Sequence, residues 1–137
     1  MFGQTRTSRR SATRAAHIPS APSAVTDYLA DPRNLREWAP DFAESVTEQA
    51  GLWQVSKGTG SRMVRVRTAP GLGVVDFVSA DDSGLGAFLR VLPDGLGSHV
   101  TFTIVFPAGT PEQAILAEME GVDRELRALQ SVLAGPD

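Results

Sequence analysis

Cysteine is absent from the chain, and lysine occurs once, at Lys57. Without thiols there are no disulfide staples, thiolate metal sites or cysteine nucleophiles, and the composition fits a reducing compartment such as the cytoplasm. Histidine is scarce too. His17 and His99 are the only two, neither has a carboxylate or a second histidine four residues away, and no metal site is expected. No apolar run approaches the roughly 18 residues of a membrane-spanning helix, so no membrane span is expected. The formal net charge is −3, which offers no cationic field to phosphates, and nucleic acid is not an expected partner. What is present is ordinary globular material: 137 residues, 42% hydrophobic and 21% charged, enough for one soluble domain with one core.

Arg6, Arg9, Arg10 and Arg14 all precede the first acidic residue, Asp27. The arginine pair at 9 and 10 has no apolar segment after it, so an export signal is not expected, and residues 1–11 read as a frayed basic tail before a single domain at 12–135. Residues 12–18 suit a strand, which Pro19 and Pro22 break. Ser20 or Ala21 caps a short helix carrying Val25, Tyr28 and Leu29, and Asp31-Pro32 opens a second with Leu35 and Trp38, closed by Pro40.

From 42 to 106 the pattern changes to short β runs at 42–49, 52–57, 61–68, 73–80, 85–92 and 99–106, separated by glycine-rich turns. Links this brief join antiparallel neighbours, because a parallel crossover needs about a dozen residues or more. The last segment reads as one helix from Thr110 to Leu133, with Thr110 as N-cap, Pro111 at the first position, Gln113 completing a capping box, and Gly135-Pro136 as the stop. Ile115, Met119, Val122, Leu126, Leu129 and Leu133 make its apolar stripe, and Glu120 with Arg124 and Asp123 with Arg127 are spaced as ion pairs on the other side. Such a helix must lie on something apolar, and the meander is the surface available. The chain is α+β.

Hairpin arithmetic tests that packing. A two-residue turn at Pro70-Gly71 sets Val64 against Phe77, Val66 against Val75 and Arg65 against Asp76. The next two turns set Val75 beside Leu89, Phe77 beside Ala87, Val91 beside Val100 and Leu89 beside Phe102. The apolar residues then share one face, while Arg65, Asp76, Arg90 and His99 share the other.

The segments IPSAPSAVTDYLADPRNLREWAP (18–40), GVVDFV (73–78), LRVLPDGLGSHVTFTIVFPAGTPEQ (89–113) and GVDRELRALQSVLAG (121–135) resemble the helix-grip superfamily of START domains, birch-pollen-allergen-like proteins and polyketide cyclases. They are similar to its bacterial SRPBCC, polyketide-cyclase-like branch. The resemblance implies a helix-grip fold: a seven-stranded antiparallel curved sheet, two short helices after strand 1, and a long C-terminal helix beside an apolar cavity. It implies a module that binds a small hydrophobic molecule, lipid or polyketide-like, and as the alternative an aromatase/cyclase-type enzyme. In that branch a histidine often follows the aspartate of the GVVD segment; Phe77 stands there in this chain, so no Asp-His pair carries over to Asp76. An NTF2-like cone begins with helices and ends in strands, the reverse of this order.

No motif assigns a catalytic residue. The paired glycines at 58 and 60, 71 and 73, 84 and 86, and 95 and 97 sit in hairpin turns and not between a strand and a helix, no serine stands in a nucleophile elbow, and no cofactor is expected. Arg65, Asp76 and Arg90 have two readings: a charge ladder on the solvent face, or, with the faces inverted, a buried set lining the cavity. The ligand-binding residues expected are Trp38, Phe77, Leu89, Phe102, Ile115 and Met119, around a cavity at the Ile115–Met119 end of the helix with Trp38 as its gate. Ala87, Ala114 and Ala117 are small where wall and helix converge, which leaves the space.

Overall fold

The computed structural model describes residues 9–134, so the expectations for residues 1–8 and for the Gly135-Pro136 stop lie outside the described residues. Strand β1 (Arg10–Ile18) starts two residues earlier than expected and alternates along its length, with Ala12, Arg14, Ala16 and Ile18 turned inward and Thr13, Ala15 and His17 outward. It is followed by α1 (Pro22–Ala30), a 3-10 turn (Pro32–Asn34) that runs into α2 (Leu35–Trp38), then β2 (Ser45–Gln49), β3 (Leu52–Lys57) and β4 (Gly60–Ala69). A second 3-10 turn (Pro70–Leu72) leads to β5 (Val74–Ser79), β6 (Gly86–Asp94), β7 (Gly97–Phe106) and the long helix α3 (Glu112–Val132). The seven strands form one antiparallel sheet in the order β1-β7-β6-β5-β4-β3-β2. This is the expected helix-grip architecture.

Two of the three hairpin registers agree with the arithmetic: Phe77 faces Ala87, and Leu89 faces Phe102. The third is corrected. The β4–β5 connection spans 70–73, four residues and not two, so Val66 faces Phe77 and Arg67, not Arg65, faces Asp76. Gly73 is the reason. Its φ is +66°, and a Cβ there would lie 2.1 Å from the carbonyl oxygen of Val91, whose own N–H donates to Gly73 O at 2.8 Å. Because the shift is two residues, every side chain stays on its assigned face. Val64, Val75, Phe77, Leu89, Val91, Val100 and Phe102 all join the buried core.

Two further corrections concern element starts. Residues 42–44 do not extend β2, because the N–H groups of Phe42 and Ala43 both donate to Ala39 O, at 2.9 and 3.0 Å, in a turn that follows α2. Thr110 does not cap α3. Its hydroxyl donates to Pro107 O at 2.7 Å, Pro111 is the N-cap residue, and no side chain completes a capping box.

The expected ion pairs within α3 give way to pairs between elements. Arg124 reaches Asp41 at 3.0 Å, and Asp123 takes Arg14 of β1 at 3.2 Å. Gln130 Nε2 donates to His17 O at 2.9 Å, and Ser20 Oγ donates to Leu133 O. These contacts lay α3 along β1 and against α2. Ala12 and Ala16, small and partly buried on the inner side of β1, let the helix approach closely there. No helix among the described residues is long and apolar enough to cross a membrane.

Leu126 sits in the buried core at the centre of the α3 stripe. Leu126→Ala should lower stability by about 2 to 5 kcal/mol through lost contacts and residual cavity. Chemical denaturation with a loss below about 1 kcal/mol would show that α3 is not packed at that point.

Candidate functional site

With α3 seated toward β1, the concave face of the remaining strands is only partly covered. A cleft of about 720 Å³ lies between it and the α2–α3 side of the molecule. The sheet contributes Val64, Phe77, Ala87, Phe102 and Ile104, the α2 region contributes Leu35, Trp38 and Phe42, and α3 contributes Ala117, Gly121 and Glu125. Ala117 and Gly121 on the helix and Ala87 on the sheet are small where the two surfaces face each other, which leaves space between the longer Glu118, Arg124 and Glu125. Lys57, Arg62, Arg124, Asp41 and Glu118 add charge to the lining. The Arg62 guanidinium carbon stands 5.5 Å from the centre of the Phe42 ring, a cation–π contact.

Trp38 is part of the wall. The N-cap Asp31, whose carboxylate accepts the Arg33 N–H at 3.0 Å, starts the 3-10 turn that delivers α2, and Leu35 and Trp38 then share its buried side. The indole centre lies 6.5 Å from that of Phe77 and 6.0 Å from that of Phe102, tilted to the first and edge-on to the second. Its Nε1–H is buried and has no hydrogen-bond partner among the described residues. A second, smaller cavity of about 280 Å³ lies between α2 and α3, and Trp38 and Glu125 line both spaces.

Glu125 is the one acidic residue of α3 that is buried. Burial pushes its carboxyl up to about 8, Glu118 and Asp41 add like-charge repulsion, and Arg124 opposes them. Arg124 is itself engaged with Asp41 at 3.0 Å. At neutral pH the Glu125 carboxyl is therefore largely protonated, a neutral O–H donor at the edge of an apolar space. Sequence reasoning missed it, although a signal exists: Glu125 stands three residues after Val122 and four before Leu129, so it occupies a position of the apolar stripe.

The profile of the family described as "Polyketide cyclase / dehydrase and lipid transport" matches residues 9–134. The chain belongs to this family. A START superfamily protein from Mycobacterium smegmatis superposes with a TM-score of 0.73 at 9% identity, covering 92% of this chain and 97% of the other. The Zhui aromatase/cyclase from a Streptomyces species superposes with a TM-score of 0.70 at 13% identity, covering 92% and 94%. At such identities the likeness is one of fold. A comparison with curated proteins returns no match.

For this member of the polyketide cyclase / dehydrase and lipid transport family, the expected site residues divide. Trp38, Phe77 and Phe102 line the cleft, as do Ala87 and Ala117. Leu89, Ile115 and Met119 do not; they are buried in the core cluster, and Ala114 is absent from the lining. On α3 the cleft is lined by Ala117, Glu118, Gly121, Arg124 and Glu125, while Ile115 and Met119 turn into the core. Trp38 is no gate, being 1% exposed. Asp76 faces away from the cleft. It is held by Arg90 at 2.6 Å and Arg67 at 3.2 Å, both of them half exposed, in a ladder on the outer face of the sheet.

Since Glu125 holds its proton more tightly in the folded state than in the unfolded chain, stability falls as pH rises from about 4.5 to about 8 and levels above that. Glu125→Gln should remove this dependence and leave the variant more stable than wild type at about pH 9, by an amount on the order of a few kcal/mol. Urea denaturation at about pH 5 and pH 9 measures it. Parallel pH dependence in the two proteins would show that the carboxyl is ionised in the fold at neutral pH.

Proposed function

We propose that this chain binds an uncharged, apolar small molecule, lipid- or polyketide-like, in the cleft between the sheet and α3. The observation that carries this reading is the cleft itself: about 720 Å³, within the usual range of small-molecule sites, with Trp38, Phe77 and Phe102 forming one contiguous aromatic wall. Charges of both signs, Lys57, Arg62 and Arg124 with Asp41 and Glu118, stand in its lining. Family membership and the START-like fold are consistent with a carrier of this kind.

A second reading, an aromatase/cyclase-type enzyme, is favoured by one specific observation. Glu125 is an ionisable group inside the cleft, protonated at neutral pH and hence able to deliver a proton to a bound carbonyl compound. Native mass spectrometry of protein isolated from its own cells separates the two readings: a carrier retains one intact ligand, whereas an enzyme converts a bound precursor to a product of altered mass.

The binding reading predicts that an uncharged apolar dye such as Nile red binds with a dissociation constant in the micromolar range, about −8 kcal/mol. Ala87→Trp, which places an indole in the cleft from the β6 side, should weaken that binding at least about tenfold while leaving the circular dichroism unchanged. Equal dye binding by the two proteins would place the dye elsewhere and remove the support for the cleft.

A further inference from the structure

One carboxyl in the cleft has no partner among the described residues. Glu125 is 8% exposed, borders both the cleft and the smaller α2–α3 cavity, and forms no hydrogen bond with any of them. The carboxyl is turned toward those spaces. The charges that act on it, Glu118, Asp41 and Arg124, all line the cleft, and Asp41 and Arg124 line the smaller cavity as well. It also keeps surface of its own: among the described residues the one side-chain polar atom both enclosed and unpaired is Trp38 Nε1, so the unpaired Glu125 oxygens are not enclosed.

The charged groups around Glu125 are engaged elsewhere or repel it. On α2, Glu37 accepts the Tyr28 O–H at 2.6 Å, and Asp41 beyond it holds Arg124 at 3.0 Å. Across the cleft, Lys57 lies 3.6 Å from Glu44, and Arg62 stands over the Phe42 ring. Glu118, two turns back on α3, adds like charge. A buried carboxyl so placed takes its partner from outside the fold: water when the cleft is empty, a bound molecule when it is full.

We propose that Glu125 is the specificity-determining residue of the cleft, its carboxyl O–H donating to a carbonyl oxygen of the bound molecule and so selecting carbonyl-bearing apolar ligands over hydrocarbons of the same shape. This rests on the binding reading above. A ligand that fills the cleft displaces the water serving the carboxyl; a hydrocarbon gives nothing back, whereas a ketone or ester oxygen does. Sites built around a buried polar group reject analogues that lack its counterpart. The donor exists only while Glu125 keeps its proton. Because burial pushes that carboxyl up to about 8, the selection is present near neutrality and lost in alkali.

The test compares fluorene with 9-fluorenone, which share a tricyclic skeleton, differ by one carbonyl and do not themselves ionise, in equilibrium dialysis at about pH 6.5 and about pH 9.5. Water holds the ketone more strongly, so apolar transfer alone favours fluorene. Wild type should nevertheless bind fluorenone about tenfold more tightly at the lower pH, and the ratio should fall to parity or below at the higher. Glu125→Gln, whose amide N–H donates at either pH, should keep the preference at both; Glu125→Leu should lack it at both, with circular dichroism confirming each fold. A wild type without the preference at the lower pH, or with it undiminished at the higher, overturns the proposal and leaves the cleft as an apolar site. So does a Glu125→Leu protein that keeps the preference, or a Glu125→Gln protein whose preference still falls with pH. Binding of neither compound overturns the binding reading and this proposal together. The two wild-type ratios decide the matter even where a variant fails to fold.

Discussion

The rest of the molecule depends on the seam between β1 and β7. It joins the first strand of the chain to the last, Arg10 opposite Phe106 through to Ile18 opposite Ser98, and α3 lies along the β1 side of it. Alanines at 12 and 16 make that side shallow, so the helix sinks toward β1 and its large apolar residues are consumed in the core there. What remains above the other strands is the space left beside Ala117 and Gly121 of α3 and Ala87 of the sheet. The cleft is thus the by-product of an off-centre helix, and its position follows from which side of the sheet carries the small residues.

That asymmetry also explains what the sequence revealed of the site and what it did not. Period-two alternation named the inner face of every central strand correctly, even where the Gly73 turn displaced a register, because a two-residue slip preserves facing. Phe77, Phe102 and Ala87 were legible on that basis, and Trp38 as an aromatic on a short helix. The apolar stripe of α3 was equally legible, but a stripe reports only which residues are buried and not what they are buried against. Ile115 and Met119 therefore read as cavity lining when they are core. The azimuth of a helix over a sheet is set by tertiary contacts such as Arg14 with Asp123 and Arg124 with Asp41, pairs distant in sequence that no local pattern foretells.

The polar chemistry of the molecule sorts into two kinds. On the outer face, Asp76 is paired with both Arg67 and Arg90, an arrangement that ties β5 to its neighbours β4 and β6. On the inner side, Glu125 and the Trp38 N–H are buried without equivalent partners among the described residues. Incomplete satisfaction inside a cavity, next to complete satisfaction outside it, is the physical difference between a site and a scaffold. A carboxyl placed on an otherwise apolar helical stripe was the one sequence feature that marked this difference.

The β1–β7 seam has a temporal consequence as well. During synthesis β1 emerges first, yet its pairing partner is the last strand made, and the helix that covers both follows later still. The meander from β2 to β7 can assemble by local hairpins as it appears, while β1 must wait with its edge unpaired for about ninety residues of chain. Closure of the seam is therefore a late, long-range step, with the largest single loop-closure cost among the strand pairings of the sheet. Until it occurs, the nascent chain presents the apolar concave face of the sheet to its surroundings, a stage at which the growing protein is open to wrong pairings and to capture by chaperones.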